Sequence, residues 1–172
     1  MNDRTVSEHE LVIIRAFDAP RELVFRAFAE ARHLARWWGP KGLRIEVHTL
    51  EFRPGGVFHY SMRSPQGQEM WGKFVYREIL EPEKIVYVSS FADAEGGLTR
   101  HPMWPEWPLE ILNTLTFEEH GGKTILTLRG GPINAAQNEI EFFNEVQSGV
   151  RVGFKGTLDQ LEEYLATRGG VA

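Results

Sequence analysis

The 172-residue chain has no cysteine, so neither a disulfide framework nor thiolate chemistry is available to it. That agrees with a reducing compartment, and a cytoplasmic location is the expectation. No apolar run approaches the roughly 20 residues that span a bilayer. The opening stretch, Met1 to Glu10, is polar with both charge signs, unlike a secretion signal. Membrane insertion is therefore not expected. Cations are also in short supply: 19 Lys and Arg face 24 Asp and Glu, for a net charge of −5. Nucleic-acid binders cluster Lys and Arg to displace counterions from phosphate, and here the basic residues are scattered, which argues against such a partner. Aromatic residues, by contrast, are plentiful at 12%, within 42% hydrophobic and 25% charged residues overall. This composition excludes a disordered chain, and the length suits one domain that buries about 70% of its unfolded surface.

The most informative stretch is Arg36-Trp37-Trp38-Gly39-Pro40-Lys41-Gly42. Two adjacent indoles cannot both enter one helix-packed core, so the chain is predicted to fold back over a sheet here. Two readings stay open: a lid over the core, or an aromatic wall at the mouth of a cavity. Before it, residues 10–17 read as a strand through Leu11-Val12-Ile13-Ile14. Asp18-Ala19-Pro20-Arg21-Glu22 reads as a helix start, with a capping side chain, a first-turn proline and an early carboxylate. Val24, Phe28, Ala31 and Ala35 then form one apolar stripe at helical spacing.

After the Trp pair, six strands are predicted, over residues 43–48, 57–63, 70–80, 85–91, 109–118 and 123–129. The connections include Arg53-Pro54-Gly55-Gly56, Glu81-Pro82-Glu83-Lys84 and Gly121-Gly122, and an irregular segment fills 92–108. A long helix over 138–166 carries Phe143, Val150, Phe154, Leu158, Leu161 and Leu165, and is interrupted by Gly149 and Gly153. Each glycine costs roughly 1 kcal/mol relative to alanine, which suits either close packing on the sheet or room for a ligand. The expected class is α+β: a curved antiparallel sheet of about seven strands around a long C-terminal helix, with one or two short helices after the first strand. Residues 10–168 form the single domain, flanked by flexible ends at 1–9 and 169–172.

Strand alternation nominates an inward set. Phe58, Tyr60 and Met62 share one face, followed by Phe74 and Tyr76, then Tyr87. On strand 70–80, Trp71, Val75 and Ile79 form a rival set, which a one-residue slip would exchange with the first. Asn113 and Leu115 sit on a face with Leu109, Ile111 and Phe117, while Phe143, Val146 and Val150 come from the helix. An unpaired buried amide costs on the order of 1–3 kcal/mol, so Asn113 is either bonded to a neighbour or free to orient a ligand's polar end. Segment 100–108, Arg-His-Pro-Met-Trp-Pro-Glu-Trp-Pro, is longer than a hairpin needs. It reads as a lid, or as a gate contributing Trp104 and Trp107 to a ligand wall. With Trp38, these residues form the candidate ligand-binding set.

Signals for chemistry are sparse. His9, His33, His48, His59, His101 and His120 show no metal-ligand spacing, and neither a Gly-x-Ser-x-Gly elbow nor a phosphate loop occurs. His59 faces out if Phe58 and Tyr60 face in; a register change would reverse that and bury a potential base. No catalytic residue, metal ligand or cofactor is assigned.

In their order and spacing, several segments resemble the START-like, helix-grip superfamily, in particular its SRPBCC branch of homologues of the activator of heat-shock-protein ATPase. They are Phe17-Asp18-Ala19-Pro20-Arg21-Glu22-Leu23-Val24-Phe25, Trp37-Trp38-Gly39-Pro40, Arg53-Pro54-Gly55-Gly56, Glu81-Pro82-Glu83-Lys84-Ile85-Val86-Tyr87 and Gly153-Phe154-Lys155-Gly156-Thr157-Leu158-Asp159-Gln160-Leu161. The resemblance implies a deep cavity between sheet and terminal helix for lipids, sterols, polyketides or other apolar molecules, and brings no shared catalytic motif. Binding of a small apolar or amphipathic molecule is the leading expectation. A cyclase- or hydrolase-type enzyme and a co-chaperone-like or stress-response module are the alternatives. A homodimer and a chaperone partner stay open, with no residue pattern supporting either.

Overall fold

The computed structural model describes residues 10–168; the termini expected to be flexible, 1–9 and 169–172, and His9 with them, lie outside the described residues. The chain runs β1 (Leu11–Phe17), α1 (Arg21–Ala29), α2 (Ala31–Trp37), β2 (Arg44–Leu50), β3 (Val57–Arg63), β4 (Glu69–Leu80), β5 (Lys84–Ala92), β6 (Leu98–Thr99), β7 (Glu110–His120), β8 (Lys123–Ile133), α3 (Gln137–Glu145) and α4 (Gln147–Arg168). The strands form one antiparallel sheet in the order β1-β8-β7-β5-β4-β3-β2, with the two-residue β6 beside β5. This is the helix-grip α+β architecture, with β6 added inside the segment expected to be irregular.

Two bulges bend the sheet, one at His48 and one at Arg77. The second resolves the two faces of β4. Before it, Gly72, Phe74 and Tyr76 face the concave side; after it, Ile79 packs toward the core as well. Trp71 lies on the convex side, stacked on His59.

Local details depart from the sequence reading in three places. Glu30, extended at φ −123°, breaks the first helix in two. The stripe therefore fails beyond Phe28: Ala31 and Ala35 are exposed, and Leu34 and Trp37 are buried in their place. Asp18 does not cap α1; Pro20 holds that position, and the Arg21 backbone N–H donates to Glu119 at the end of β7. The C-terminal helix is likewise two, broken at Val146, so that α3 can aim Phe143 at Leu11 and Ile111. Gly149 and Gly153 are exposed, and a Cβ added to either would meet nothing within 4 Å. They serve neither close packing nor the cavity.

The core has two parts. The larger joins α1, α2 and α4 to the sheet through residues such as Phe25, Phe28, Trp37, Phe58, Phe117 and Leu161. Edge-to-face contacts link Phe117 to Phe25 and Phe28. The smaller consists of Leu11, Ile111 and Phe143, with Trp107 and Val150 against it. The site lies between the two.

Candidate functional site: a cavity between sheet and helices

The Trp pair divides its labour. Trp37 is 1% exposed, its indole N–H donates to the Ala27 carbonyl at 2.9 Å, and its ring meets Phe28 edge-on. Trp38 turns the other way, its ring perpendicular to Trp37 at 86°, and meets Phe74, Tyr60 and Phe154 edge-on. The turn after it is held from α4: Gln160 donates to the Trp37 and Gly39 carbonyls and Thr157 to that of Gly39. Gly39 has φ +95°, and a Cβ there would lie 2.7 Å from Ile45. Both readings of the pair therefore describe one of its members.

Trp38 forms part of the wall of a cavity of about 160 Å³. Of the residues nominated from the sequence, Trp38, Tyr60, Met62, Phe74, Tyr87, Trp107, Asn113, Phe143 and Val150 line it. Five do not. Phe58 and Leu115 lie within the larger core, as does Tyr76, whose ring packs on Phe52. Val146 sits at the break between α3 and α4. Trp104, 36% exposed, rests on Phe142 and His101 outside. Ser89, Ser90, Phe91, Leu128, Gly72 and Gly130 also line the cavity and were not nominated. The glycines were legible, since glycine inside a strand marks close approach of a neighbour.

Both strand glycines face a polar side chain across the ladder. Gly72 pairs with Tyr60, and a Cβ there would lie 2.4 Å from the tyrosine hydroxyl. Gly130 pairs with Asn113, and a Cβ there would lie 2.8 Å from Asn113 Oδ1. The Asn113 amide donates to Ser89 Oγ at 2.9 Å and to the Ile111 carbonyl at 3.1 Å. A carbonyl can only accept, so this bond fixes which end of the amide is which.

Burial pushes the Tyr60 phenol up to about 12; the nearby Trp38 N–H offsets this in part without completing a hydrogen bond. Tyr87 is raised further, by burial and then by the neighbouring hydroxyls of Tyr76 and Tyr60. Both stay neutral near pH 7. Among the described residues, the lining has no carboxylate, imidazole, Lys or Arg. His59 points away from the cavity, stacked on Trp71, with Nε2 3.0 Å from the Asp93 carbonyl oxygen. No group of three or more His, Cys, Asp or Glu among the described residues could hold a metal.

Segment 100–108 closes one end. Trp107 packs on Phe143, and Arg100 pairs with Glu139 of α3. Glu139 also accepts the Ala136 backbone N–H at 3.0 Å, which forms the reciprocal half of a capping box at the start of α3. The Ala136 N–H, and then Arg100, hold the Glu139 carboxyl below its ordinary value against the opposing effect of burial. The stabilisation is therefore complete above the ordinary value of 4.5 and is lost as pH falls through the lower folded value. Glu139→Gln should lower the thermal midpoint at pH 7, and the gap from the parent protein should close on acidification. A gap that persists at acid pH would contradict this account.

An α+β sheet wrapped on a C-terminal helix, with a cavity between them, defines the START-like helix-grip class. Within that class the chain belongs to the family described as Activator of Hsp90 ATPase homolog 1-like protein, whose profile matches residues 18–166. Similar solved structures include one from Mycobacterium smegmatis, 25% identical, covering 96% of both chains, with a TM-score of 0.76. One from Staphylococcus epidermidis is 27% identical over 94% of this chain and 92% of that one, with a TM-score of 0.72. An AHSA1 protein from Silicibacter pomeroyi, 18% identical over 92% of this chain and 99% of that one with a TM-score of 0.71, shares the fold. No curated protein sequence matches the chain. Among the described residues, no helix is long and apolar enough to cross a membrane.

Proposed function

We propose that the protein binds one small, largely apolar molecule in the cavity between the sheet and α3 and α4. The carrying observation is the cavity itself: apolar and aromatic walls with a few placed neutral polar groups, the usual form of a small-molecule site. Its volume of about 160 Å³ favours a guest of single-ring size over a sterol or long-chain lipid. For scale, an engineered apolar cavity of about 150 Å³ holds benzene.

The competing readings have less support. An acid–base enzyme needs an ionisable pair facing the guest, and the lining offers neutral groups. A chaperone-binding module needs a contiguous apolar patch. Among the described residues, the large exposed apolar side chains are instead spread over β1 (Ile14), the end of β4 (Leu80), β6 (Leu98), segment 100–108 (Met103, Trp104) and α4 (Val152).

Native mass spectrometry and a thermal-shift screen of one-ring aromatics, polyketides and lipids test the proposal. A one-ring ligand at 100 times its Kd should add about 2.7 kcal/mol, or a rise on the order of 5–10 °C for a protein of this size. No shift with any one-ring compound would defeat it.

A further inference from the structure

We infer that the guest is a neutral one-ring molecule bearing a hydroxyl, a phenol or ring alcohol, seated with that hydroxyl between Asn113 and Ser89; this rests on the cavity being a ligand site. Asn113 is 5% exposed and lines the cavity. Both hydrogens of its amide are committed, one to Ser89 Oγ and one to the Ile111 carbonyl. No described donor reaches Oδ1, which is left as an acceptor beside Gly130, whose missing side chain makes room for that oxygen in the cavity wall.

Ser89 Oγ accepts from Asn113, which leaves its own O–H to donate. Within one cavity wall the protein thus presents an acceptor and, next to it, a donor. A hydroxyl is the smallest group that answers both, donating to Asn113 Oδ1 and accepting from Ser89. The same pair of contacts rejects two neighbouring classes. An ether cannot donate, so it leaves Oδ1 unpaired. A carboxylate brings a charge into a lining whose described residues include no cation to meet it. Trp107, Phe74 and Phe143 supply the apolar wall for the ring.

Calorimetry at pH 7 with p-cresol, toluene, 4-methylanisole and 4-methylbenzoate tests this. A hydroxyl stripped of water without a partner weakens binding, so a cavity lacking the polar pair would favour toluene over p-cresol. The expected result is p-cresol about tenfold tighter than toluene and 4-methylanisole, with 4-methylbenzoate weakest. Asn113→Leu should abolish the preference, and the milder Ser89→Ala should reduce it about threefold. Toluene or 4-methylanisole binding as tightly as p-cresol would overturn the inference while leaving the proposed function standing. So would a preference that survives both substitutions. Failure of all four probes to bind would overturn the inference, and with no shift from any compound of the one-ring screen it would overturn the proposed function too.

Discussion

Trp37→Ala should cost about 3–5 kcal/mol of stability, the range for truncating a buried large aromatic, and lower the midpoint by on the order of 10 °C. The indole is fully enclosed, bonded through its N–H to Ala27, and braced by Phe28 and Trp38. Its loss also leaves the Ala27 carbonyl without that donor. Trp38→Ala should cost clearly less, because that ring already borders empty space. Urea denaturation of both variants gives the comparison; equal losses would mean that the two indoles share one role.

Gly72→Ala should nearly abolish guest binding, by tenfold or more, and cost about 1–3 kcal/mol as overpacking. The new methyl would lie 2.4 Å from the end of the Tyr60 ring, while the β3–β4 ladder holds both backbones in place. The ring can yield only by swinging away, and Phe58, Phe74 and Trp38 crowd its other sides, so it enters the cavity. Adding Tyr60→Leu to Gly72→Ala removes the colliding ring and should recover stability. A Gly72→Ala protein with unchanged affinity would show that the guest does not lie beside Tyr60.

Much of this arrangement is legible in the sequence. Alternation put Tyr60, Phe74 and Tyr87 on one face, since a period of two survives wherever the ladder is regular. What the sequence could not carry was the offset between neighbouring strands. Phe58 and Leu115 have the right face but the wrong height, and lie inside the larger core. The bulge at Arg77 adds a residue that no local pattern announces. Tertiary demands also overrode local signals: Glu119 of β7, rather than Asp18, meets the first N–H of α1. Ser89 went unremarked because a small polar residue in a strand carries no signal of its own. Its meaning comes from Asn113, which lies 24 positions away.

The separation of Leu11, Ile111 and Phe143 from the main core makes the molecule unevenly firm. The thick end, with its interlocked phenylalanines, contributes the larger share of the resistance to melting. The thin end is fastened by three buried side chains and the Arg100–Glu139 clasp, so it can yield while the rest stays intact. Traffic in and out of the interior should then quicken when that fastening is weakened.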